Sequence, residues 1–352
     1  MKRIWIFLFV ISLTGTGVSC AEETDNPIVD ETTTLTDSEI YDNAVMSGTV
    51  NLWQKGNIPT VTHNVNNSDG PDFIPNMEVF TVGEGTAPKG AVIICPGGAF
   101  MFRSMQNEGY DIADMLVPMG YQCFIVNYRI RPYTMQESAT DLQRAIRYVK
   151  AHADEYRINP DNIALVGFSA GGILNGEVLL NWRDLTNGTA LDNSYVPDEL
   201  DKVPVFACAV GMIYSFYGRL SVSMNDVETL RAANLPPAFY CWGTRDGFAG
   251  QFTQNAGAVE QAGYRIERKI LPNYPHGYGS GGNSAVWGND FDRFLMSIMS
   301  ENSAINDVSV NVESDAVETM YDINGRQVTS ETAKPGIYVV KHTTGTSKIL
   351  LN

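Results

Sequence analysis

Five short, apolar-rich runs recur through the middle of the chain: AVIIC (91–95), QCFIVNY (122–128), NIALV (162–166), VFACAV (205–210) and AFYCW (238–242). Helix-length stretches lie between or after them, near 106–117, 138–153, from 170 onward and near 251–262. NMEVFTV (76–82) precedes the series; YRIERKI (264–270) and a last helix near 286–300 follow it. A strand apolar on both sides needs cover on both sides, and amphipathic helices between such strands supply it. The spacing therefore predicts a three-layer α/β/α domain around a mostly parallel sheet. In the helix at 138–153, Ala139, Leu142, Ile146 and Val149 recur three or four apart, while Asp141, Arg144 and Arg147 fall on the other side.

The 352 residues accommodate one such domain and something small, because single cores stop growing at roughly 250–300 residues. A net charge of −16 argues against a nucleic-acid partner, which needs clustered Lys and Arg. At the start, Lys2 and Arg3 precede an apolar run from Ile4 to Val10 and then small residues, the layout of an export signal over 1–21. The run is too short for a lasting membrane span. Cys20 offers lipid attachment as an alternative, although Gly17 stands where a lipobox prefers Leu. Residues 22–47, rich in Thr, Asp and Glu, read as a loose tether, and the main domain is expected over 48–303. The protein is thus expected outside the cytoplasm: extracellular, at the cell surface or in the periplasm.

Beyond about Asn306 the period changes to two. AVETMYDINGRQV has strand-like flanks around Asn324-Gly325, a pair suited to a tight hairpin, and KPGIYVVKHTTGTSKILLN gives two further strands. A small all-β module is expected over 306–352. Its YDINGR (321–326) and PGIYVV (335–340) resemble the C-terminal sorting domains of the type IX secretion route, which implies outer-membrane secretion machinery as a partner.

Cys95, Cys123, Cys208 and Cys241 all lie in apolar runs and read as buried thiols. No Cys-x-x-Cys pair or His cluster supports a metal site.

The chemistry gathers at Gly167-Phe168-Ser169-Ala170-Gly171, a G-x-S-x-G pattern between the strand IALV and the helical ILNGEVLL. Small flanking residues permit a sharp strand-to-helix turn that lifts the serine hydroxyl above the sheet, beside the free amides of the helix N-terminus. A serine hydroxyl needs a base within hydrogen-bond reach and a carboxylate to orient that base. Of four histidines, His63 lies in a polar approach, His152 at a helix end and His342 in the β-module, leaving His276 in the loop YPHGYG. Asp246, just past the strand AFYCW, is the candidate carboxylate; Asp226 has no strand to place it. Gly98 and Ala99 in CPGGAF (95–100), with the amide of Ala170, are the candidate oxyanion-hole donors.

In the order Gly-Gly turn, Ser, Asp, His, the chain resembles the α/β-hydrolase superfamily over 76–300, in particular its exported acetyl-xylan and feruloyl esterase-like branch. Members of that branch show ICPGGGY, EGY, GFSAGG, HGTDD and GHGFG; this chain has ICPGGAF, NEGY (107–110), GFSAGG, WGTRD and PHGYG. The resemblance implies Ser169 as nucleophile, Asp246 as orienting group and His276 as base, acting without cofactor or metal on an acylated glycan or small ester. Three departures stand out: Ala99 for a third glycine, Trp242 for a histidine, and the bulky MFRSMQ after the glycines. They bear on substrate size. A serine exopeptidase of the same fold and a non-catalytic glycan-binding protein are the competing readings.

Overall fold

The computed structural model describes residues 45–63, 69–70, 72–182, 188–281 and 286–307, with four strand segments inside 317–351. The expected export signal, Cys20 and the tether as far as residue 44 lie outside the described residues.

The main body runs β1 (Val45–Asn51), β2 (Asn76–Thr81), β3 (Gly90–Cys95), α1 (Asp111–Leu116), β4 (Tyr121–Asn127), α2 (Met135–Ala151), β5 (Ile163–Phe168), α3 (Ala170–Glu177) and β6 (Ala209–Ile213). A small hairpin of β7 (Gly218–Arg219) and β8 (Val222–Ser223) follows. Then come α4 (Val227–Ala232), β9 (Ala238–Gly243), α5 (Ala249–Gln261), β10 (Ile266–Leu271) and α6 (Gly288–Asp307). Eight strands form one sheet in the order β1-β2-β4-β3-β5-β6-β9-β10. From β4 to β10 all neighbours are parallel; β1 and β2 are antiparallel additions. Every residue of β3, β5, β6 and β9 is buried, so both faces of the sheet centre are covered.

The topology decides where chemistry can sit. From β3 the chain goes to β4 on one side and then returns to β5 on the other, so the strand order reverses between β3 and β5. The carboxyl ends of such a pair open a crevice. Cys95 of β3 pairs with Gly167 of β5, which places the turn after Cys95 beside the turn after Phe168.

Three expectations are corrected. The tether was expected to reach residue 47, but strand β1 begins at Val45 and pairs with β2. Its Ser47-Gly48-Thr49 centre has little apolar signal, and the ladder slips between Met46 and Gly48. The fourth apolar run enters the sheet at Ala209 rather than Val205; before it, Val205, Ala207 and Cys208 are buried while Phe206 is 43% exposed, so the run's apolar residues reflect packing of the connection as well as the strand.

The third correction concerns α2. A capping box fixes its start: the Thr134 hydroxyl accepts from the Glu137 N–H, and the Glu137 carboxylate accepts from the Thr134 N–H. Its charged side, expected to face away from the core, is itself buried. Asp141 accepts from Trp53 Nε1 (2.8 Å) and from Arg129 Nε (2.9 Å). Arg144 donates to the Leu52 carbonyl (2.9 Å) and pairs with Asp198. Arg147 donates to the Val203 carbonyl (2.9 Å) and pairs with Asp201 at 3.3 Å. Segments 52–62 and 198–203 thus cover the polar face of α2, and local periodicity cannot foresee cover supplied by distant residues.

The four free cysteines in the apolar runs are buried; burial pushes the Cys208 and Cys241 thiols up to about 12. At the C-terminal end, β11 (Val317–Asp322), β12 (Gln327–Val328), β13 (Gly336–His342) and β14 (Gly345–Leu351) form an antiparallel sheet in the order β12-β11-β13-β14. Asn324-Gly325, expected to form a tight hairpin turn, lies outside the described residues.

Candidate active site

Ser169 sits between the end of β5 and the start of α3 with φ 50° and ψ −117°, a backbone conformation that costs a non-glycine residue about 1–3 kcal/mol. Its N–H donates to the Ile213 carbonyl (3.0 Å), and its carbonyl accepts from Ile173 N–H (3.1 Å) and Ser215 Oγ (2.7 Å). The flanking glycines are steric requirements. A Cβ on Gly167 would lie 2.6 Å from Asn175 Nδ2 and from the Gly171 carbonyl, and one on Gly171 would lie 1.9 Å from the Cys95 carbonyl oxygen. The elbow closes only because α3 rests on bare backbone.

The structure brings the three separated side chains together. His276 Nε2 lies 2.9 Å from Ser169 Oγ, and His276 Nδ1 lies 2.6 Å from Asp246 Oδ2. Asp246 follows β9; its side chain is fully shielded from solvent, and its other oxygen accepts from Phe248 N–H at 2.8 Å. A carboxylate can only accept, so Nδ1 carries the imidazole proton and Nε2 faces the serine with its lone pair. The imidazole, 35% exposed, is flanked by Tyr214 and Phe248, with ring centroids at 4.9 and 5.6 Å.

Gly97 places its backbone against the elbow: a Cβ there would lie 2.5 Å from the Phe168 carbonyl and 3.0 Å from Ser169 Cβ. Beyond it Gly98, Ala99 and Phe100 all have positive φ (129°, 54° and 58°), which turns the chain back on itself. Met101 N–H and Phe102 N–H close the turn on the Gly98 carbonyl (2.8 and 3.2 Å). Among the described residues, the N–H groups of Gly98, Ala99 and Ala170 meet no protein acceptor, so they are available to a ligand oxygen. Ala99 thus occupies a left-handed position that glycine would adopt without strain. The bulky residues after it divide: Phe100 packs on Tyr128 in the core, whereas Met101 and Phe102 are 57% and 58% exposed. Trp242 is buried in β9 against Phe252.

An open cleft of about 300 Å³ adjoins Ser169 and His276, walled by Ile173, Phe216, Leu220, Phe248 and Phe252, with Ser215 and Ser221 as polar edges. His152 and Asp226 are elsewhere: His152 stacks on Tyr148, and Asp226 caps α4 by accepting from Thr229 N–H at 2.7 Å. Among the described residues, no three His, Cys, Asp or Glu side chains gather as a metal-holding group.

Two residues that the sequence reading left without a role stand behind this constellation. Glu108 is 5% exposed; it accepts from Gly97 N–H (2.7 Å) and from the Tyr214 hydroxyl (2.6 Å). Burial pushes its carboxyl above the ordinary range, against the opposing pull of those two hydrogen bonds and of His276. Tyr214, held at φ 38°, has no local sequence signal at all.

Known proteins share parts of this chain's sequence and its fold. The BD-FAE family matches residues 77–222. A probable carboxylic ester hydrolase, LipM, from Mycobacterium tuberculosis is 37% identical over 101 residues, which cover 28% of this chain and 23% of that protein. An acetylxylan esterase from Xylanibacter ruminicola is 35% identical over 92 residues, 26% of this chain and 19% of its own length. The chain therefore matches less than a quarter of either relative. Among solved structures, an acetyl ester-xyloside bifunctional hydrolase from Caldicellulosiruptor lactoaceticus superposes with a TM-score of 0.57 at 21% identity, covering 72% of this chain and 97% of that one. A truncated carbohydrate esterase from gut microbiota does so at 0.51 and 21%, with coverage of 72% and 97%. By its mostly parallel sheet, its strand order and these neighbours, the chain has the α/β-hydrolase fold, and over 77–222 it is similar to the BD-FAE family.

Proposed function

We propose that the protein is a serine carboxylic-ester hydrolase that removes acyl groups, acetyl foremost and feruloyl second, from glycans outside the cytoplasm. One observation carries the reading: a single imidazole bridges a shielded carboxylate and the hydroxyl of a strained elbow serine. As Ser169 Oγ attacks the ester carbonyl, its proton passes to His276 Nε2, and Asp246 stabilises the imidazolium that results. The oxyanion is held by the amides of Gly98, Ala99 and Ala170. When the tetrahedral adduct collapses, the bond to the alcohol breaks and His276 Nε2 protonates that alcohol. Water, deprotonated by the same nitrogen, then attacks the acyl-serine and releases the acid. The names of the similar proteins, an acetylxylan esterase and a bifunctional acetyl ester-xyloside hydrolase, support acetylated glycans as the substrate class. The apolar cleft favours an ester over a charged substrate.

The test is hydrolysis of nitrophenyl acetate, nitrophenyl butyrate, methyl ferulate and acetylated xylan by the purified protein, with fluorophosphonate labelling of the serine. Wild type should hydrolyse the acetyl esters and take up label; Ser169→Ala should do neither while unfolding at the same temperature. Cleavage of a peptide anilide but not of nitrophenyl acetate would move the reading to an exopeptidase. An unlabelled, inactive wild type would leave only a glycan-binding role. Export and C-terminal sorting belong to the same proposal: removing residues 308–352 should change where the protein accumulates and leave its rate on a small ester unchanged.

A further inference from the structure

Glu108 lies in the one-turn helix Gln106–Tyr110, outside the serine, histidine and aspartate just described, and a buried carboxylate needs a reason. Three hydrogen bonds tie it into the site. Gly97 N can only donate, so Oε2 accepts. The Tyr214 hydroxyl donates to Oε1 at 2.6 Å and itself accepts from Gly279 N–H at 3.1 Å. The chain of bonds therefore runs from Gly279 through the Tyr214 hydroxyl to the carboxylate, which meets the Gly97 amide from its other side. Both oxygens accept and neither has to donate, an arrangement that suits the ionised side chain.

The ends of that chain are the oxyanion-hole turn and the loop that carries His276. Gly97 directly precedes the amides of Gly98 and Ala99, and its backbone abuts Ser169. Gly279 closes the loop that carries His276, and its carbonyl accepts from Trp287 Nε1 at 3.0 Å. Gly279 also lies against the same one-turn helix, since a Cβ on it would fall 2.4 Å from the Asn107 carbonyl oxygen. Tyr214 packs its ring on His276 and on Tyr278, with centroids at 4.9 and 4.7 Å.

We infer that Glu108 is a positioning residue which, through Gly97 on one side and Tyr214 on the other, holds the oxyanion-hole turn and the His276 loop at a fixed separation. The inference deepens the esterase reading and rests on it. The two groups clamped this way act on the same tetrahedral centre from different sides, so a shift of either misaligns the transition state more than the bound ester.

The experiment compares Glu108→Gln, Tyr214→Phe and the double variant with wild type on nitrophenyl acetate, with thermal unfolding measured on each. A Gln must point an amide donor at one of two donors, and Phe removes the link to Gly279 while keeping the ring. We expect Glu108→Gln to lower kcat by roughly 10- to 100-fold and Tyr214→Phe by about 10-fold, with KM within about threefold. The double variant should be no slower than Glu108→Gln alone, because the tyrosine acts through the carboxylate. A folded Glu108→Gln protein with kcat within twofold of wild type overturns the inference, and so do effects that multiply. Should Glu108→Gln fail to fold, Tyr214→Phe decides by the same twofold criterion. An inactive wild type would instead sink the esterase reading, so the two failures are distinguishable.

Discussion

His276 Nδ1 meets Asp246 Oδ2 at 2.6 Å, and the carboxylate involved has no exposure to solvent while the imidazole is 35% exposed. The pair is anchored from its buried end, which fixes the tautomer of the exposed end. Replacing Asp246 by Asn puts an amide donor where only an acceptor serves. Asp246→Asn should therefore lower kcat on nitrophenyl acetate by roughly 10³- to 10⁴-fold. Steady-state kinetics on the folded variant checks this, and a loss below tenfold would contradict the role given to Asp246.

Stability should depend on acid through Glu137. Its fully buried carboxylate accepts from the Thr60 hydroxyl (2.5 Å), the Val61 and Thr62 N–H groups (both 3.0 Å), the Thr62 hydroxyl (2.6 Å) and Thr134 N–H (2.7 Å). Burial alone would raise its pKa, but the hydrogen bonds outweigh burial and lower it from 4.5 to about 2. A depressed carboxylate stabilises the fold above its unfolded pKa and ceases to do so as pH falls through the folded one. The contribution, on the order of 3 kcal/mol, is complete above about pH 5 and disappears towards pH 2. Denaturant unfolding of wild type and Glu137→Gln should differ most at pH 6 and converge on acidification; a gap that stays constant from pH 6 to pH 3 would refute it.

Gly171→Ala tests the elbow sterically. With the Cys95 carbonyl 1.9 Å from the new methyl position, α3 must move off β3, at a cost of about 3 kcal/mol or more. Thermal unfolding should show a drop of many degrees or no soluble protein. An unchanged melting temperature would mean that α3 does not lie as described.

Leu220 and Phe248 narrow the cleft beside the serine. Leu220→Ala should raise the ratio of kcat/KM for nitrophenyl butyrate over the acetate by about fivefold, since a methylene in an apolar pocket carries roughly 1–3 kcal/mol. If the ratio does not move, the acyl group lies elsewhere.

What was legible in the sequence was local. GFSAGG announces its turn because the glycines, the serine and the following helix are neighbours along the chain, and AFYCWGTRD places Asp246 by the same adjacency. Order along the chain sufficed for His276, since few histidines compete. Glu108 stands in the NEGY match, but its role was hidden for the opposite reason: its partners, Gly97, Tyr214 and through it Gly279, converge from three loops far apart along the chain. The buried charges of α2 were misread likewise, because residues 52–62 and 198–203 cover a face whose periodicity advertises solvent. β1 was missed because Ser47-Gly48-Thr49 belongs to an edge, where pairing on one side suffices and side-chain pattern is weak.

The Ser169 main chain is fastened by Ile213 and Ile173 through their backbones and by the Ser215 hydroxyl, and its own hydroxyl takes no part in holding the elbow's shape. Shape and reactivity are consequently separable at this position. Ser169→Ala should leave an intact seat for an uncleaved acyl ester, so the disarmed protein can serve as bait: if the proposed substrate class is right, the variant immobilised on a resin should retain acylated glycans from a mixture of polysaccharides.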